Sequence, residues 1–374
     1  MKFALFTQSM DFGAFSTVFS GLANALAENG VTEIDLLTLA GDIRDSEHAF
    51  PPHSRSVPIA ARGSAGAVPP LRHYLEQAQP DVLISGPILP NLAACTAKVL
   101  ARRWHGILIL GHHHPIRLAR GQTWQNNEHL VRLLYRFADA SYSTSPWTRE
   151  EAIELAHLDP ARVACIPNAL PPSSPDLSHE CDHPWFREER PGGPLFVTVS
   201  RLEPVKNVSL LIDAFSLIAD QIDAKLLVVG SGVLQDELQA QIRSAGLDTR
   251  VSLLGYVPTP RPYLRAADAF VLASNEEGFG QVLSEAMGEG LPVISTDAAG
   301  GGPRFVLDDG RAGLLVPRGD RAALANAMAQ MEDPELRKRY ASLSLERAER
   351  FTPGRVGEDL LAFIESLPRP GANQ

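Results

Sequence analysis

What most constrains the fold is a rhythm that recurs in both halves of the chain: a short unbroken apolar run, an amphipathic stretch, then another apolar run. In the first half, Lys2 to Thr7, Glu33 to Thr38, Asp81 to Ser85 and Gly106 to Leu110 have strand length, and Ser16 to Asn29 and Asn91 to Arg102 have helical spacing. Runs such as Ile107-Leu108-Ile109-Leu110 do not alternate with polar residues, so both faces of their sheet must be covered. The rhythm predicts βαβ units and an open parallel sheet with helices on either side. From Leu195 it starts again, with strands predicted at Leu195 to Val199, Lys225 to Val229, Val251 to Leu254, Ala269 to Ala273, Val293 to Thr296 and Leu314 to Val316. The helices between them are expected at Val208 to Ile218, Leu234 to Ala245, Pro260 to Ala266, Gln281 to Gly288 and Arg321 to Met331.

A chain of 374 residues exceeds what one apolar core ordinarily supports, so two α/β domains are expected. The segment Pro171 to Pro194, rich in Pro, Ser, Asp and Gly, reads as the connection. The expected division is residues 1–172, a linker at 173–194, a second domain at 195–353, and a final helix at 354–374 that crosses back to the first domain. Pro353 sets the last boundary, because a proline inside a helix removes a hydrogen bond and clashes with the preceding turn.

Several classes drop out. No apolar run approaches the ~20 residues that span a bilayer, and the start, Met1 to Gln8, turns polar too early for a signal peptide. The three cysteines, Cys95, Cys165 and Cys181, show neither paired spacing nor a C-x-x-C arrangement, so a reducing cytoplasm is the expected location. A formal charge of −10 argues against nucleic acid as a partner.

The segment Ala273 to Met287 carries the strongest chemical signal. Seven residues separate Glu277, in a strand-to-helix loop, from Glu285, inside the helix. Gly278 and Gly280 bare the backbone N–H groups at the positive end of the helix dipole, which suits a pyrophosphate. Glu285 can accept two hydrogen bonds from vicinal hydroxyls such as those of a ribose, and Glu277 lies where a sugar would follow. An isolated pair of acids at this spacing is usually a helix cap and a surface charge. Here it is accompanied by Arg201 and Lys206, in the loop after Leu195 to Val199, which could neutralise a departing diphosphate.

These residues bring the chain close to a known family: it resembles the family 4 retaining glycosyltransferases of the GT-B fold, two Rossmann-like doubly wound domains facing across a cleft. The resemblance rests on Ser200-Arg201-Leu202, Lys206, Val228 to Gly232, Leu254-Gly255-Tyr256, the Glu277 and Glu285 segment, Gly290 to Ile294, and Gly310 to Asp320. It implies that Arg201 and Lys206 hold the donor diphosphate, that Glu285 holds the ribose, and that Glu277 meets the transferred sugar near the backbone of Phe279, Gly280 and Gln281. Gly230, Tyr256, Gly278 and Val282 join the same donor-binding set. It further implies transfer with retention, no required cofactor or metal, a nucleotide-sugar donor with UDP first and GDP next, and a carbohydrate or lipid-linked acceptor in polysaccharide or lipopolysaccharide synthesis.

The first half matches less fully. Of the glycine pair expected after the first strand, near the donor phosphate, only Gly13 is present, after Phe12. The family's histidine near the reacting carbon corresponds to one of His112, His113 and His114, with His113 preferred and His112 second. A metal site there is disfavoured, because adjacent histidines do not easily converge on one ion. Gly300-Gly301-Gly302-Pro303-Arg304 is shared with relatives that build bacterial surface polysaccharides, but Phe305 stands where they carry an acid. Lys98 to Arg136 holds seven basic residues against one acid, Glu128, with Trp104, Trp124 and Leu133 interleaved. It could contact anionic lipid headgroups at the inner face of a membrane or a phosphate-bearing acceptor, or it could be a solvated helix face. Two rivals to the transferase are a nucleotide-sugar 2-epimerase of the same architecture, distinguished by turnover of donor alone, and a non-catalytic partner subunit.

Overall fold

The computed structural model describes residues 1–10, 14–40, 50–115, 122–171, 181, 183–187 and 190–368. The chain divides into two compact units, Met1–Pro172 with Phe351–Gln374, and Ser173–Arg350.

Unit 1 holds a seven-stranded sheet of β1 (Lys2–Ser9), β2 (Glu33–Ala40), β3 (Ser54–Pro58), β4 (Val82–Ser85), β5 (Ile107–His112), β6 (Ala140–Ser143) and β7 (Val163–Cys165). Every pairing is parallel, in the order β3-β2-β1-β4-β5-β6-β7. Its helices are α1 (Ala14–Glu28), α2 (Gly63–Gly66), α3 (Val68–Ala78), α4 (Ile88–Leu100), α5 (Gln122–Leu134) and α6 (Pro146–Ala156). The strand period of two explains the unbroken apolar runs. Phe3 and Leu5 pack on one face with Val82, Ile84, Ile107 and Ile109, while Ala4 and Phe6 pack on the other with Leu83, Leu108 and Leu110.

No elements are predicted from the sequence at residues 54–58, 63–78, 140–143, 146–156 or 163–165. The strand β3, Ser-Arg-Ser-Val-Pro, is a polar edge strand, and β6, Ala-Ser-Tyr-Ser, is buried at all four positions although half of it is serine. Strand β6 takes its structure from its neighbours β5 and β7. Helix α6 did carry a local signal: Ser145 and Thr148 cap it reciprocally, with Pro146 at its first position.

Unit 2 holds six parallel strands: β8 (Leu195–Val199), β9 (Lys225–Val229), β10 (Val251–Gly255), β11 (Ala269–Leu272), β12 (Val293–Thr296) and β13 (Leu314–Val316). The order is β10-β9-β8-β11-β12-β13, so the winding reverses between β8 and β11. Helices α7 (Val208–Ser216), α8 (Gln235–Ser244), α9 (Arg261–Ala266), α10 (Gln281–Gly288), α11 (Gly302–Val306), α12 (Arg321–Gln330) and α13 (Pro334–Ala348) complete it. One face of the sheet is covered by Leu211, Phe215, Ile242, Leu324 and Met328.

After α13 a single turn, Glu349–Phe351, leads into α14 (Pro353–Ser366). Val356, Leu360 and Ile364 of α14 share a core with Phe19, Leu22 and Leu26 of α1, so the final helix belongs to unit 1. The backbones approach closely at Gly357, where an added Cβ would stand 2.2 Å from the carbonyl oxygen of Ala25.

Candidate active site

In an open α/β sheet the strand reversal leaves a crevice at the carboxyl ends of the two central strands, because the loops leaving them turn to opposite faces. In unit 2 those strands are β8 and β11, and the loops that leave them carry Lys206 and Glu277.

Lys206 ends a single 3₁₀ turn, Pro204–Lys206, and Asn207 follows in the left-handed region at φ 49° before α7 begins. The Lys206 Nζ donates to Glu277 Oε1 at 2.5 Å, and Ser274 Oγ donates to the same oxygen at 2.8 Å. Glu277 is 8% exposed and the Lys206 side chain 20%, so this is an ion pair largely removed from water. The two loops are also stitched together: Asn275 N donates to Val205 O at 2.8 Å, and Asn207 Nδ2 to Asn275 Oδ1 at 3.2 Å. From the other side, Glu277 N donates to Ala299 O at 2.8 Å, and Gly302 N to Glu277 O at 3.2 Å. Glu277 is therefore held by the ends of three neighbouring strands, β8, β11 and β12.

Helix α10 starts at Gly280, whose φ of 87° suits glycine and turns the chain sharply into the first helical turn. Gly278 and Phe279 are buried, and Gln281 and Val282 are half-buried. Phe279 is wedged from behind by the glycine-rich turn: a Cβ on Gly302 would lie 2.6 Å from both the N and Cα of Phe279. Phe305, where relatives are expected to carry an acid, packs its ring on Phe279 at 6.4 Å, and the Arg347 guanidinium lies over it at 5.5 Å. An apolar buttress thus stands behind the start of α10.

Glu285 sits just beyond the first turn of α10. Burial pushes its carboxyl up to about 7, the nearby Glu289 adds to the rise, and the Gln281 side chain and the Arg261 charge oppose it. Glu289 at the end of α10 is clamped by Arg261 and Arg265 of α9, one arginine on each carboxylate oxygen. Neither Ser274 nor this clamp is among the site residues that the sequence motifs mark. The signal for the clamp was legible, since two acids four residues apart on one helix repel unless cations answer them.

Arg201 also follows β8, but its exposed guanidinium donates to Glu203 at 2.5 Å. The structure therefore brings Lys206 and Glu277 into contact and leaves Arg201 on its own acid. Gly230, at the end of β9, bridges to Gly255 at the end of β10, its N donating to Gly255 O at 2.8 Å. Tyr256 comes next and is 60% exposed.

In unit 1, His112 is the last residue of β5, and both His112 and His113 are buried, while His114 is the exposed member of the trio. The His113 ring is packed edge-on against Tyr142, with Nε2 3.2 Å from the Tyr142 hydroxyl, and it hydrogen-bonds Asn168. His112 lies against the Tyr135 ring at 5.6 Å. Burial pulls the two imidazoles down to about 4 and about 3, so both are neutral at pH 7. Gly13, Arg117, Arg120 and the side chain of Trp124 lie outside the described residues. Among the described residues no group of three His, Cys, Asp or Glu side chains is arranged to hold a metal ion, and no helix is long and apolar enough to cross a membrane.

Comparison with known proteins agrees in both halves. Residues 193–333 match the family described as "Glycosyl transferases group 1", and residues 13–169 match that described as "Glycosyl transferase 4-like domain". The chain is a glycosyltransferase, its second half of group 1 and its first half of the 4-like kind. Its two parallel sheets are those of the GT-B architecture: the crystal structure of Anabaena HepE in complex with UDP superposes with a TM-score of 0.78 at 24% identity, over 98% of this chain and 100% of that one. The lipopolysaccharide core biosynthesis glycosyltransferase LpsE of Rhizobium meliloti is 27% identical, over 98% of this chain and 100% of its own length. The N-acetylgalactosamine-N,N'-diacetylbacillosaminyl-diphospho-undecaprenol 4-alpha-N-acetylgalactosaminyltransferase of Campylobacter jejuni is 30% identical over 64% of this chain. That match spans 63% of the Campylobacter enzyme's length.

Proposed function

We propose that this glycosyltransferase moves a hexose-type sugar, with retention at the anomeric carbon, from a UDP-sugar to a hydroxyl of a bacterial polysaccharide or glycolipid acceptor. The observation that carries the reading is the Lys206 and Glu277 contact at the strand reversal of unit 2, beside the start of α10. A diphosphate at that helix start would meet backbone N–H groups and the positive end of the dipole, with Lys206 and Arg201 as counter-charges. Glu285, one turn in on the same helix, would accept the ribose hydroxyls, and Gly230 and Tyr256, at the ends of the neighbouring strands, would flank the nucleoside. UDP as the nucleotide is supported by the HepE structure, which holds it on the same fold. A glycolipid or surface-glycan acceptor is supported by the names of the relatives, the Rhizobium one a lipopolysaccharide core biosynthesis enzyme and the Campylobacter one acting on a diphospho-undecaprenol-linked sugar.

In the reaction the bond from the anomeric carbon to the diphosphate breaks, and its electron pair leaves with the phosphate. The acceptor oxygen bonds to the same face of that carbon, and its proton passes to a departing phosphate oxygen. Lys206, Arg201 and the α10 N-terminus stabilise the charge that develops on the leaving group, the largest single contribution expected of such a site. Glu277, fixed by Lys206 and Ser274, orients the sugar hydroxyls. No metal is required in this scheme, because the fixed cations and the helix dipole offset the leaving charge, and neither buried imidazole of unit 1 is asked to carry a proton.

A panel of UDP- and GDP-sugars tested by thermal shift, followed by product analysis with the stabilising donor, tests the reading. Stabilisation by a UDP-sugar and a product of unchanged anomeric configuration are expected. Stabilisation by no nucleotide sugar, or an inverted product, would defeat it.

A further inference from the structure

The basic stretch of unit 1 is not uniformly basic in three dimensions. Helix α5 and the turn Tyr135–Phe137 that prolongs it bury Val131 and Tyr135 in the core. On the opposite face two stripes run side by side. Leu130, Leu133 and Phe137, spaced three and four residues apart, are 44%, 49% and 37% exposed. His129, Arg132 and Arg136 repeat the same spacing one position earlier and are exposed too. Residues at that spacing line one side of a helix, so the outer face of α5 sets an apolar stripe beside a polar one that carries Arg136 and Arg132, the latter paired with Glu128 one turn earlier.

The neighbouring helix enlarges the surface. Helix α4 packs beside α5 and its terminal turn, and Lys98 near the end of α4 pairs with Asp139 just after that turn. Val99 and Leu100, 47% and 45% exposed, stand at that end of α4, and Arg102 and Arg103 follow in an exposed turn. Single exposed leucines are ordinary, but large apolar side chains gathered on two adjoining elements and rimmed by arginines are what a docking face shows.

We propose that the outer face of α5, with the end of α4 beside it, lies on an anionic lipid bilayer. The apolar stripe enters the boundary between headgroups and acyl chains, and the arginines meet the lipid phosphates. Charge decides between occupants. The chain carries −10 overall, so an anionic bilayer repels most of its surface and accepts it through this face. A second copy apposed on the same face would set arginine against arginine. An amphipathic helix with cations on its polar side is the form that binds in the plane of such an interface. The surface belongs to unit 1 and uses none of the donor-site residues of unit 2, so the proposal stands or falls separately from the donor assignment.

The test is sedimentation of the full chain with vesicles of phosphatidylcholine alone and of phosphatidylcholine mixed with phosphatidylglycerol, at low and high salt. Pelleting is expected with the anionic vesicles only, and it should weaken with salt. Arg132→Gln and Arg136→Gln should each lower the apparent affinity about fivefold, from ~1 kcal/mol per basic residue at such a surface. Leu130→Ser with Leu133→Ser should lower it at least about tenfold. These positions are exposed, so melting temperature and donor-dependent thermal shift should be unchanged in every variant, which separates lost docking from lost folding. Failure to pellet, equal pelleting on neutral vesicles, or variants that pellet like the parent chain would overturn the proposal. So would a dimer of the parent chain, seen by sedimentation velocity, that Leu133→Ser dissolves.

Discussion

Lys206 and Glu277 are 71 residues apart in the chain, and their side chains meet at 2.5 Å where β8 and β11 run side by side. A pair this enclosed cannot lose one partner without leaving the other charge in a poorly solvated place. Lys206→Ala and Glu277→Gln should each lower kcat/KM by about 10²–10³ fold, the loss typical of removing one group that stabilises the transition state. Because they act as a unit, the double variant should be little worse than the poorer single one. Steady-state kinetics on the four proteins checks this, and independent, multiplying losses would show that the contact is incidental.

The half-buried Glu285 predicts a pH dependence of donor binding. Its carboxyl is raised from 4.5 to about 7, yet it must be ionised to accept two ribose hydroxyls. With that value the ionised fraction falls about tenfold between pH 8 and pH 6, and the donor KM should rise by about the same factor. Arg261→Gln removes a cation that favours the ionised form, so it should move the profile to higher pH. A KM that is flat with pH would contradict the assignment.

The same shift has a consequence for stability. The folded protein holds the Glu285 proton more tightly than the unfolded chain, so stability falls as pH rises from about 4.5 to about 7 and the penalty is complete above that. Glu285→Gln should therefore stabilise unit 2 by on the order of 1–3 kcal/mol at pH 8 and by almost nothing at pH 4.5, while abolishing donor binding. Thermal melts at the two pH values, with and without nucleotide, provide the check.

The two buried imidazoles of unit 1 act in the opposite direction. His112 and His113 are depressed from 6.5 to about 4 and about 3, so the unfolded chain takes up protons that the folded unit refuses. Unit 1 should lose stability as pH falls below 6.5, by up to about 1.4 kcal/mol per pH unit for each imidazole. Urea unfolding at several pH values measures the slope. Replacing either histidine by glutamine should reduce it, whatever happens to absolute stability.

Gly302→Ala tests the buttress behind α10. Its Cβ would fall 2.6 Å from the backbone of Phe279, which must shift and take the start of α10 with it. A cost of about 1–3 kcal/mol is expected for such overpacking. A raised donor KM should accompany it, since the displaced backbone adjoins Gly280. A variant that melts and binds donor normally would show that the turn yields more easily than the contact implies.

Much of this was legible in the residues, and the limits are instructive. The strands of unit 2 and the helix Gln281–Gly288 lie where apolar runs and the glycines before Gln281 mark them, because both signals are local. Strands β3, β6 and β7 were not legible, since segments that are serine-bearing, as in β3 and β6, or only three residues long, as in β7, become strands only when neighbouring strands supply the hydrogen bonds. Arg201 and Lys206 look equivalent in the sequence, yet one pairs with Glu203 beside it and the other with Glu277 across the strand reversal. Of the three histidines, strand alternation could not say which were enclosed, because β5 ends among them.

The sequence by itself determined the layered α/β plan, the family, and the residue types gathered at the ends of β8 and β11. All of these follow from periodicity and from chemistry carried within a few positions. Only the tertiary structure decided that Glu277 is held by a lysine from another loop, that Glu285 is raised toward neutrality, and that α14 joins α1. Those properties depend on which groups lie nearby through space and on how much water is excluded, and strand order, not chain distance, sets both.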